Sequence, residues 1–392
     1  MSELIERDKV KVLLAQALFK TPDVLLLDEP TNGLDIQTIE WLCEFIIEYP
    51  NTVIVVSHDR YFLNKVCTYT CDVDFGRISL FAGNYDFWKQ SSELAARLSA
   101  KHNAAKEDKI KDLQEFIARF SANASKSKQA TSRKKILEKI TLDDIKPSSR
   151  KYPFVSFVPE REIGHDLLHV QELSYALDGT KLFENVTFTL NRGDKVAFMS
   201  DNDLIISAFL DVLAGEREAD KGNYRWGITT SRSYLPRDAS SAFDDPEMSI
   251  LDWLRQYAPE DQRDDTSIRG LLGRMLFSGD EVYKRLGVLS GGEKVRCLLS
   301  RQMLSKANVL LLDDPSNHLD LESISSLNDS LISFKGSVLF SSHDHEFIQT
   351  VANRIIFLSP HGMIDQVGMS YEDFNESESV QRKLAALRAL GE

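Results

Sequence analysis

Four short runs of uninterrupted apolar residues recur along this chain, and each ends in a polar or acidic residue. The runs are Val24–Leu27, Val53–Val56, Val196–Met199 and Val309–Leu312. A continuous apolar run is typical of a parallel strand covered on both faces, whereas a half-buried strand alternates apolar and polar residues. A helical pattern follows the third run, at AFLDVLAG. The pattern therefore predicts an α/β fold with a parallel central sheet.

Most of these runs belong to a repeat with a constant offset of 285 residues. VLLLDEPTNGLD at Val24–Asp35 matches VLLLDDPSNHLD at Val309–Asp320, VIVVSHD at Val53 matches VLFSSHD at Val338, and LIERDKVKVLLAQALF at Leu4 matches LSGGEKVRCLLSRQML at Leu289. One register across three separate blocks predicts two copies of one domain. The acidic pair, proline and closing aspartate resemble the Walker B strand and D-loop of an ATP-binding cassette.

The two copies differ in the length of chain that precedes the block beginning at Leu4 in the first copy and at Leu289 in the second. About 120 residues, from Leu168, precede LSGGE in the second copy, whereas only Met1–Glu3 precede its counterpart. We therefore expect the first cassette to lack its front half, including the phosphate loop. We also expect it to associate with another chain or to pack loosely over Met1–Phe81. The expected domains are half of a first nucleotide-binding domain (1–85), a basic helical linker (86–152), a second nucleotide-binding domain (153–375) and a helical tail (376–392).

Composition favours a cytoplasmic protein. The chain has 392 residues, 42% of them hydrophobic, which is enough for two to three domains with sizeable cores. Its four cysteines lack metal-ligand spacing, and free thiols are expected, although Cys67 and Cys71 could face each other across a helical turn. No apolar run approaches the roughly 20 residues of a membrane span, and no signal peptide opens the chain.

The linker is basic within an acidic chain. The whole chain carries a formal charge of −13, yet Arg97–Lys151 holds fifteen Lys or Arg and seven Asp or Glu. Apolar residues near helical spacing predict two antiparallel helices with a basic, Ser-rich turn. The candidate RNA-binding residues of this turn are Lys126, Lys128, Arg133, Lys134 and Lys135. A cluster of this kind is typical of phosphate contact, although a solvated linker remains the alternative.

Acidic residues and histidines follow matched strands in both copies. Asp28 and Asp313 stand at the carboxyl ends of their strands, where a carboxylate can hold the water shell of Mg²⁺. The next residue, Glu29 or Asp314, is the candidate general base for an attacking water, and aspartate reaches less far. His58 and His343 follow the next strand. Their matched positions predict that they sense a γ-phosphate.

The sequence LSGGE predicts a helix start that binds phosphate. Ser290, Gly291 and Gly292 would present backbone N–H groups at the positive end of a helix. The first copy has Ile5, Glu6 and Arg7 at these positions. Isoleucine has no hydroxyl and arginine prevents the close approach that glycine allows, so this signature is expected to be non-functional.

The phosphate loop of the second copy has the expected context but an altered composition. A working loop reads G-x-x-x-x-G-K-[ST] between strand and helix. Here it runs from Ser200 to Ser207, with Asn202 as a further candidate contact and Ser207 as the hydroxyl for Mg²⁺. Ile205 replaces the glycine and Ile206 the lysine, so weak nucleotide binding is expected. Tyr175 is a candidate for stacking on adenine, or a core aromatic beside a strand.

Nearly the whole chain resembles the ABC-F family, which has two cassettes in tandem and no transmembrane domain. The resemblance implies ATP and Mg²⁺ as cofactors and action on the ribosome, with the linker reaching toward tRNA. It also implies composite sites. One would pair Asp28, Glu29 and His58 with Ser290 and Gly292; the other would pair Asp313, Asp314 and His343 with Leu4–Asp8. Neither is complete in this sequence.

Two further functions stay open. The altered loops favour a non-hydrolysing ATP-binding or regulatory module. An ATP-binding subunit of a membrane transporter is a weaker alternative, because a basic arm between cassettes has no role there.

Overall fold

The computed structural model describes residues 6–19, 21–32, 34, 36–95, 97–98, 111 and 150–390. The chain forms two compact units. The first, here called the cassette unit, comprises Met1–Phe62 and Lys151–Glu392, and the second, the linker unit, comprises Leu63–Arg150. The predicted RNA-binding residues, and most of the predicted helical hairpin, lie outside the described residues.

Helices and strands are mixed along the chain, as expected for an α/β fold. The helices are α1 (Glu6–Leu18), α2 (Ile36–Ile47), α3 (Arg60–Val66), α4 (Asp203–Ala214), α5 (Ile250–Arg255), α6 (Asp265–Arg274), α7 (Gly291–Ser305), α8 (Leu321–Ser333), α9 (His345–Val351), α10 (Tyr371–Glu376) and α11 (Glu378–Ala389). The strands are β1 (Val24–Asp28), β2 (Thr52–Val56), β3 (Tyr69–Asp74), β4 (Arg77–Ala82), β5 (Asp166–Leu177), β6 (Thr180–Asn191), β7 (Lys195–Met199), β8 (Lys221–Trp226), β9 (Arg232–Leu235), β10 (Val309–Asp313), β11 (Ser337–Ser341), β12 (Arg354–Ser359) and β13 (Gly362–Val367).

A six-stranded sheet organises the second copy, in the order β13-β12-β7-β11-β10-β9. All neighbours pair in parallel except β12 and β13, which form an antiparallel hairpin. Leu310 and Leu312 of β10 face one hydrophobic core, and Val309 and Leu311 face the other. The prediction of a parallel strand buried on both faces is therefore confirmed for β10. A smaller antiparallel sheet, β6-β5-β8, packs beside it.

The first copy repeats the central pairing but not its burial. Strands β1 and β2 pair in parallel with Asp28 opposite Val56, as Asp313 lies opposite Ser341 in the second copy. In β1 the side chains alternate between exposed and buried, whereas every residue of β10 is buried. Leu26 is 69% exposed, and its counterpart Leu311 is 0% exposed. One face of the β1–β2 pair is therefore uncovered among the described residues.

The linker unit contains the last residues of α3 and then a hairpin. Strands β3 and β4 pair in antiparallel, with Asp74 opposite Arg77, and residues 85–95 are helical. Arg150 pairs with Asp72 and its guanidinium lies 4.9 Å from the ring centroid of Trp88. The last residue of the unit thereby contacts β3 and the helix at residues 85–95.

Two general expectations can be compared with the structure. Cys43, Cys67, Cys71 and Cys297 take part in no disulfide, and Cys43 and Cys297 are buried. In the described part of the chain, no helix combines the length and the hydropathy that crossing a bilayer requires.

The contrast between Leu26 and Leu311 gives a matched pair of substitutions. We expect Leu311→Ala to lower the free energy of unfolding of the cassette unit by about 2–5 kcal/mol, because it leaves a cavity in the core that Val309 and Leu311 face. We expect Leu26→Ala to cost less than about 1 kcal/mol, because the side chain is already largely in water. Urea denaturation followed by tryptophan fluorescence measures both. Equal losses in the two variants would show that the first copy is sealed as the second is.

Candidate functional site

The carboxyl ends of β10 and β11 place the acidic pair, Asp313 and Asp314, in contact with Ser341. The backbone N–H of Asp314 donates to Ser341 Oγ at 2.8 Å, and that hydroxyl donates to Asp313 Oδ1 at 2.7 Å. Asp314 has φ of 51° and its counterpart Glu29 has φ of 47°. A non-glycine residue rarely adopts this left-handed conformation, so both copies hold the second acid of the pair in the same strained turn.

The phosphate loop joins β7 to α4 as predicted. The side chain of Asn202 caps α4 by accepting from Leu204 N, and Gly215 ends the helix in a left-handed conformation. Ile205 and Ile206, at the glycine and lysine positions of the motif, are both buried. The loop is also held from outside, because Arg388 of α11 donates to both oxygens of Asp201 at 2.7 and 2.9 Å.

A compact ion cluster occupies the space between the phosphate loop, β9 and β11. Arg237 Nη2 donates to Asp203 Oδ2 at 2.8 Å and lies 3.5 Å from Asp314 Oδ2. His343 Nε2 lies 3.2 Å from the Asp203 carboxylate and 3.4 Å from Arg237 Nη2. The Asp203 carboxylate is therefore shared by a guanidinium and an imidazole.

The cluster controls the charges of its members. Burial raises the pKa of Asp203, but hydrogen bonding and attraction from His343 and then Arg237 outweigh it, so the pKa falls to about 2. Burial lowers the pKa of His343, and the hydrogen bond to Asp203 with the nearby Asp314 outweighs that effect, so the pKa is raised. Both pKa shifts favour the charged form of the group concerned.

Two buried oxygens beside this cluster fit a magnesium ion. Ser207 Oγ and Asp313 Oδ2 are buried and have no hydrogen bond of normal geometry among the described residues. Burial raises the pKa of Asp313, and the facing Ser207 and Ser341 hydroxyls partly offset the rise. A hydroxyl and a carboxylate are ligands that Mg²⁺ accepts alongside phosphate oxygens. Ser207 and Asp313 would therefore hold the ion, whose charge would neutralise phosphate oxygens when bound.

The first copy also forms an acid–histidine pair. His58 N donates to Glu29 Oε2 at 3.2 Å, and His58 Nε2 lies 3.5 Å from Glu29 Oε1. Asp28 ends β1 in an exposed position. The predicted general base and γ-phosphate sensor of the first copy therefore contact each other.

The two histidine loops meet across the repeat. Arg60 is buried and pairs with Glu346 at 3.2 Å, and it also donates to Ser325. The ring of Tyr61 stacks on His345, with centroids 4.2 Å apart. Burial, with a contribution from Asp344 opposite, raises the pKa of Asp59 to about 7, although the Phe62 N–H opposes the rise.

The signature residues serve first to start α7. Ser290 Oγ accepts from Glu293 N at 3.3 Å, and Ser290 N donates back to Glu293 Oε2 at 2.9 Å. A Cβ on Gly291 would lie 2.9 Å from His318 Cγ, and one on Gly292 would lie 2.7 Å from His318 O. The glycines are thus required by close packing against His318 of the D-loop, which itself has φ of 65°.

Many of the predicted residues share one cleft of about 1340 Å³. Its predicted members are Glu29, His58, Ser200, Ser290, Gly291, Gly292, Asp314 and His343. Ser207 and Asp313 line a neighbouring cleft. Asp28, Asn202 and Tyr175 line neither of these two clefts. Tyr175 instead accepts a hydrogen bond from Arg217 at 3.2 Å, and its adenine contact stays a prediction.

Sequence reasoning missed three residues of this site: Asp203, Arg237 and His318. Arg237 follows a four-residue strand, β9, and that strand carries no continuous apolar run. The signal that could have found Arg237 was the absence of lysine from the phosphate loop, because another cation is then needed near the phosphates.

Comparisons with known proteins agree on the family. Two ABC transporter family models match residues 71–157 and 183–317. The chain is 61% identical to the uncharacterized ABC transporter ATP-binding protein YkpA of Bacillus subtilis, over 99% of this chain and 72% of that protein. It is 32% identical to ABC transporter F family member 5 of Arabidopsis thaliana, over 92% of this chain and 52% of that protein.

A solved structure shares the fold. It is the complex of archaeal ribosomal stalk protein aP1 and archaeal ribosome recycling factor aABCE1, with a TM-score of 0.64 and 19% identity, over 99% of this chain and 67% of that chain. The α/β cassette fold predicted from the repeat is confirmed. At this identity the likeness concerns the fold alone.

The raised pKa of Asp59 predicts a pH-dependent contact between the two histidine loops. A carboxyl with a pKa of about 7 in the folded state and 3.8 in the unfolded state stabilises the fold most below pH 3.8, and this contribution is lost as the pH rises through 7. Asp59→Asn should therefore gain stability relative to the parent chain between about pH 4 and 7, on the order of a few kcal/mol. Denaturation midpoints across this range test it, with the exposed Asp23→Asn as control. A pH-independent difference would contradict the assignment.

Proposed function

Because the chain belongs to the ABC-F family of ATP-binding cassette proteins, we propose that it acts on the ribosome in translation, with ATP and Mg²⁺ as ligands and tRNA as a contact. This activity would take place in the cytoplasm. The observation that carries the nucleotide part is the cleft that joins the Glu29–His58 pair, Ser290 of the signature, and the Asp314–His343 end of the second site. Residues from both copies line it, as a composite nucleotide site requires.

The chemistry of this cleft can be assigned to residues of the chain. His58 and His343 would contact the terminal phosphate, and Glu29 or Asp314 would orient the attacking water. Ser290 and the N–H groups of Gly291 and Gly292 would contact phosphate at the start of α7. Hydrolysis should be slow, because Ile206 supplies no charge and Asp314 faces Arg237 at 3.5 Å rather than open solvent.

The ribosomal part rests on the family and on the charge of the linker. Fifteen basic and seven acidic residues within Arg97–Lys151 leave an excess positive charge in a chain of net charge −13. Such a segment is suited to RNA phosphates, which attract it at long range. Association with another chain at the uncovered face of β1 and β2 is part of the same proposal.

A second candidate function is a non-hydrolysing regulatory module. It is favoured by Asp203, whose carboxylate already accepts from Arg237 and contacts His343. Under this alternative the cleft would respond to nucleotide binding alone.

Slow hydrolysis is the first test. We expect steady-state phosphate release from the purified chain to fall well below about 1 s⁻¹, because the second loop lacks a lysine. Asp313→Asn serves as the control for contaminating activity. Turnover of about 1 s⁻¹ or more that is abolished by Asp313→Asn would show that the second site is a competent ATPase.

Ribosome binding is the second test. We expect co-sedimentation with ribosomes that weakens steeply with salt, and replacement of the five basic arm residues by Gln should reduce both the affinity and the salt slope, by roughly 0.7–0.9 per lost phosphate contact. The replaced residues are Lys126, Lys128, Arg133, Lys134 and Lys135.

A control with the same change of net charge separates the arm from general attraction. It replaces five exposed residues of the cassette unit by Gln: Lys181, Arg192, Arg225, Lys335 and Arg382. Equal losses of ribosome affinity in the two variants would show that the arm is only a linker. Absence of co-sedimentation by the parent chain would refute action on the ribosome.

A further inference from the structure

Arg237 lies at the point where a nucleotide phosphate would need a cation. Strand β9 pairs in parallel with β10 so that Leu235 lies opposite Leu312. Arg237 lies two residues after Leu235 and Asp314 lies two residues after Leu312, so the two residues lie side by side at the carboxyl edge of the sheet. The phosphate loop follows β7, which lies two strands from β10 in the same sheet, and it reaches the same edge.

The loop itself provides no positive side chain. Ile206 occupies the lysine position and is buried, and the residues from Ser200 to Ser207 contain no lysine or arginine. Asp201 and Asp203 instead add two carboxylates. Without a cation from elsewhere, the second site would repel a polyphosphate.

We propose that Arg237 is the phosphate-binding cation of the second cassette, in place of the missing lysine, and that Asp203 occupies its guanidinium until a nucleotide phosphate displaces it. This inference rests on the proposed binding of ATP. It adds a residue, a charge and a competing internal anion that the family motif does not contain.

The geometry around Arg237 supports this role. Its guanidinium contacts the carboxylate of Asp203, the candidate base Asp314 and the candidate γ-phosphate sensor His343 within 2.8–3.5 Å. A group that must contact the terminal phosphate has to lie between these elements. The side chain is 31% exposed, so it is reachable from the cleft while remaining fixed by its partners.

Guanidinium chemistry suits the exchange of one anion for another. Arginine stays charged and presents a planar set of donors that fits carboxylate and phosphate oxygens alike. Asp203 thus holds the donors in the orientation that a phosphate would use. Asp203 also competes with that phosphate for the guanidinium, so nucleotide binding is expected to be weak but still present.

Calorimetric titration of the full chain with ATP and Mg²⁺ tests the proposal. Arg237→Gln should weaken binding roughly ten- to hundredfold, the range expected for loss of a charge-assisted hydrogen bond. Arg225→Gln removes the same charge from an exposed position on β8 and should change the affinity less than about twofold.

The internal anion is tested separately. Asp203→Asn should tighten binding by roughly tenfold, because the guanidinium loses its charged competitor. As a control, Asp329→Asn removes a carboxylate from an exposed position on α8 that lines neither cleft, and should have a small effect. If the parent chain binds too weakly to titrate, Arg237→Gln is compared in the Asp203→Asn background.

Restoring the lysine separates the possible outcomes. Ile206→Lys should recover binding in the Arg237→Gln chain if the fold is intact. Unchanged binding in Arg237→Gln, or in Asp203→Asn, overturns the inference and leaves the proposed function in place. No binding even in Asp203→Asn/Ile206→Lys would overturn the nucleotide part of the proposed function as well.

Discussion

The parallel pairing of β10 with its two neighbours is the constraint on which the site depends. It aligns the carboxyl ends of β9, β10 and β11, so that Arg237, the acidic pair and His343 emerge at one edge. Arg237, the acidic pair and His343 come from three separate parts of the sequence. The strand is buried on both faces, and the register is therefore specified by two cores at once.

The two copies show what the same motif does in different surroundings. The VLLLD strand, the left-handed acid and the following histidine loop are preserved in both. Burial is not preserved, because the described residues cover only one face of β1. The local geometry of the acid–histidine turn therefore comes from the strand pair itself, whereas the stability of that pair depends on the layers around it.

The sequence was sufficient for the elements that local pattern specifies. Continuous apolar runs predicted parallel strands, the 285-residue offset predicted the duplication, and the loop between β7 and α4 was located by its context. The role of Arg237 could not be predicted, because it depends on β9 lying next to β10. That neighbourhood is a long-range property, and β9 is too short to show its own pattern. The adenine contact of Tyr175 and the arm residues remain predictions.

The pairing of Arg388 with Asp201 links the C-terminal helix to the loop that would receive phosphate. Both side chains are partly in water, so the pair contributes at most about 1 kcal/mol. By thermodynamic reciprocity, a ligand that shifts the loop must change the docking of α11 by the same free energy, and a partner that lifts α11 must change the affinity of the loop. An energy of this size shifts populations only several-fold. The docking of α11 therefore changes the affinity of the phosphate loop by a small factor and does not turn binding on or off.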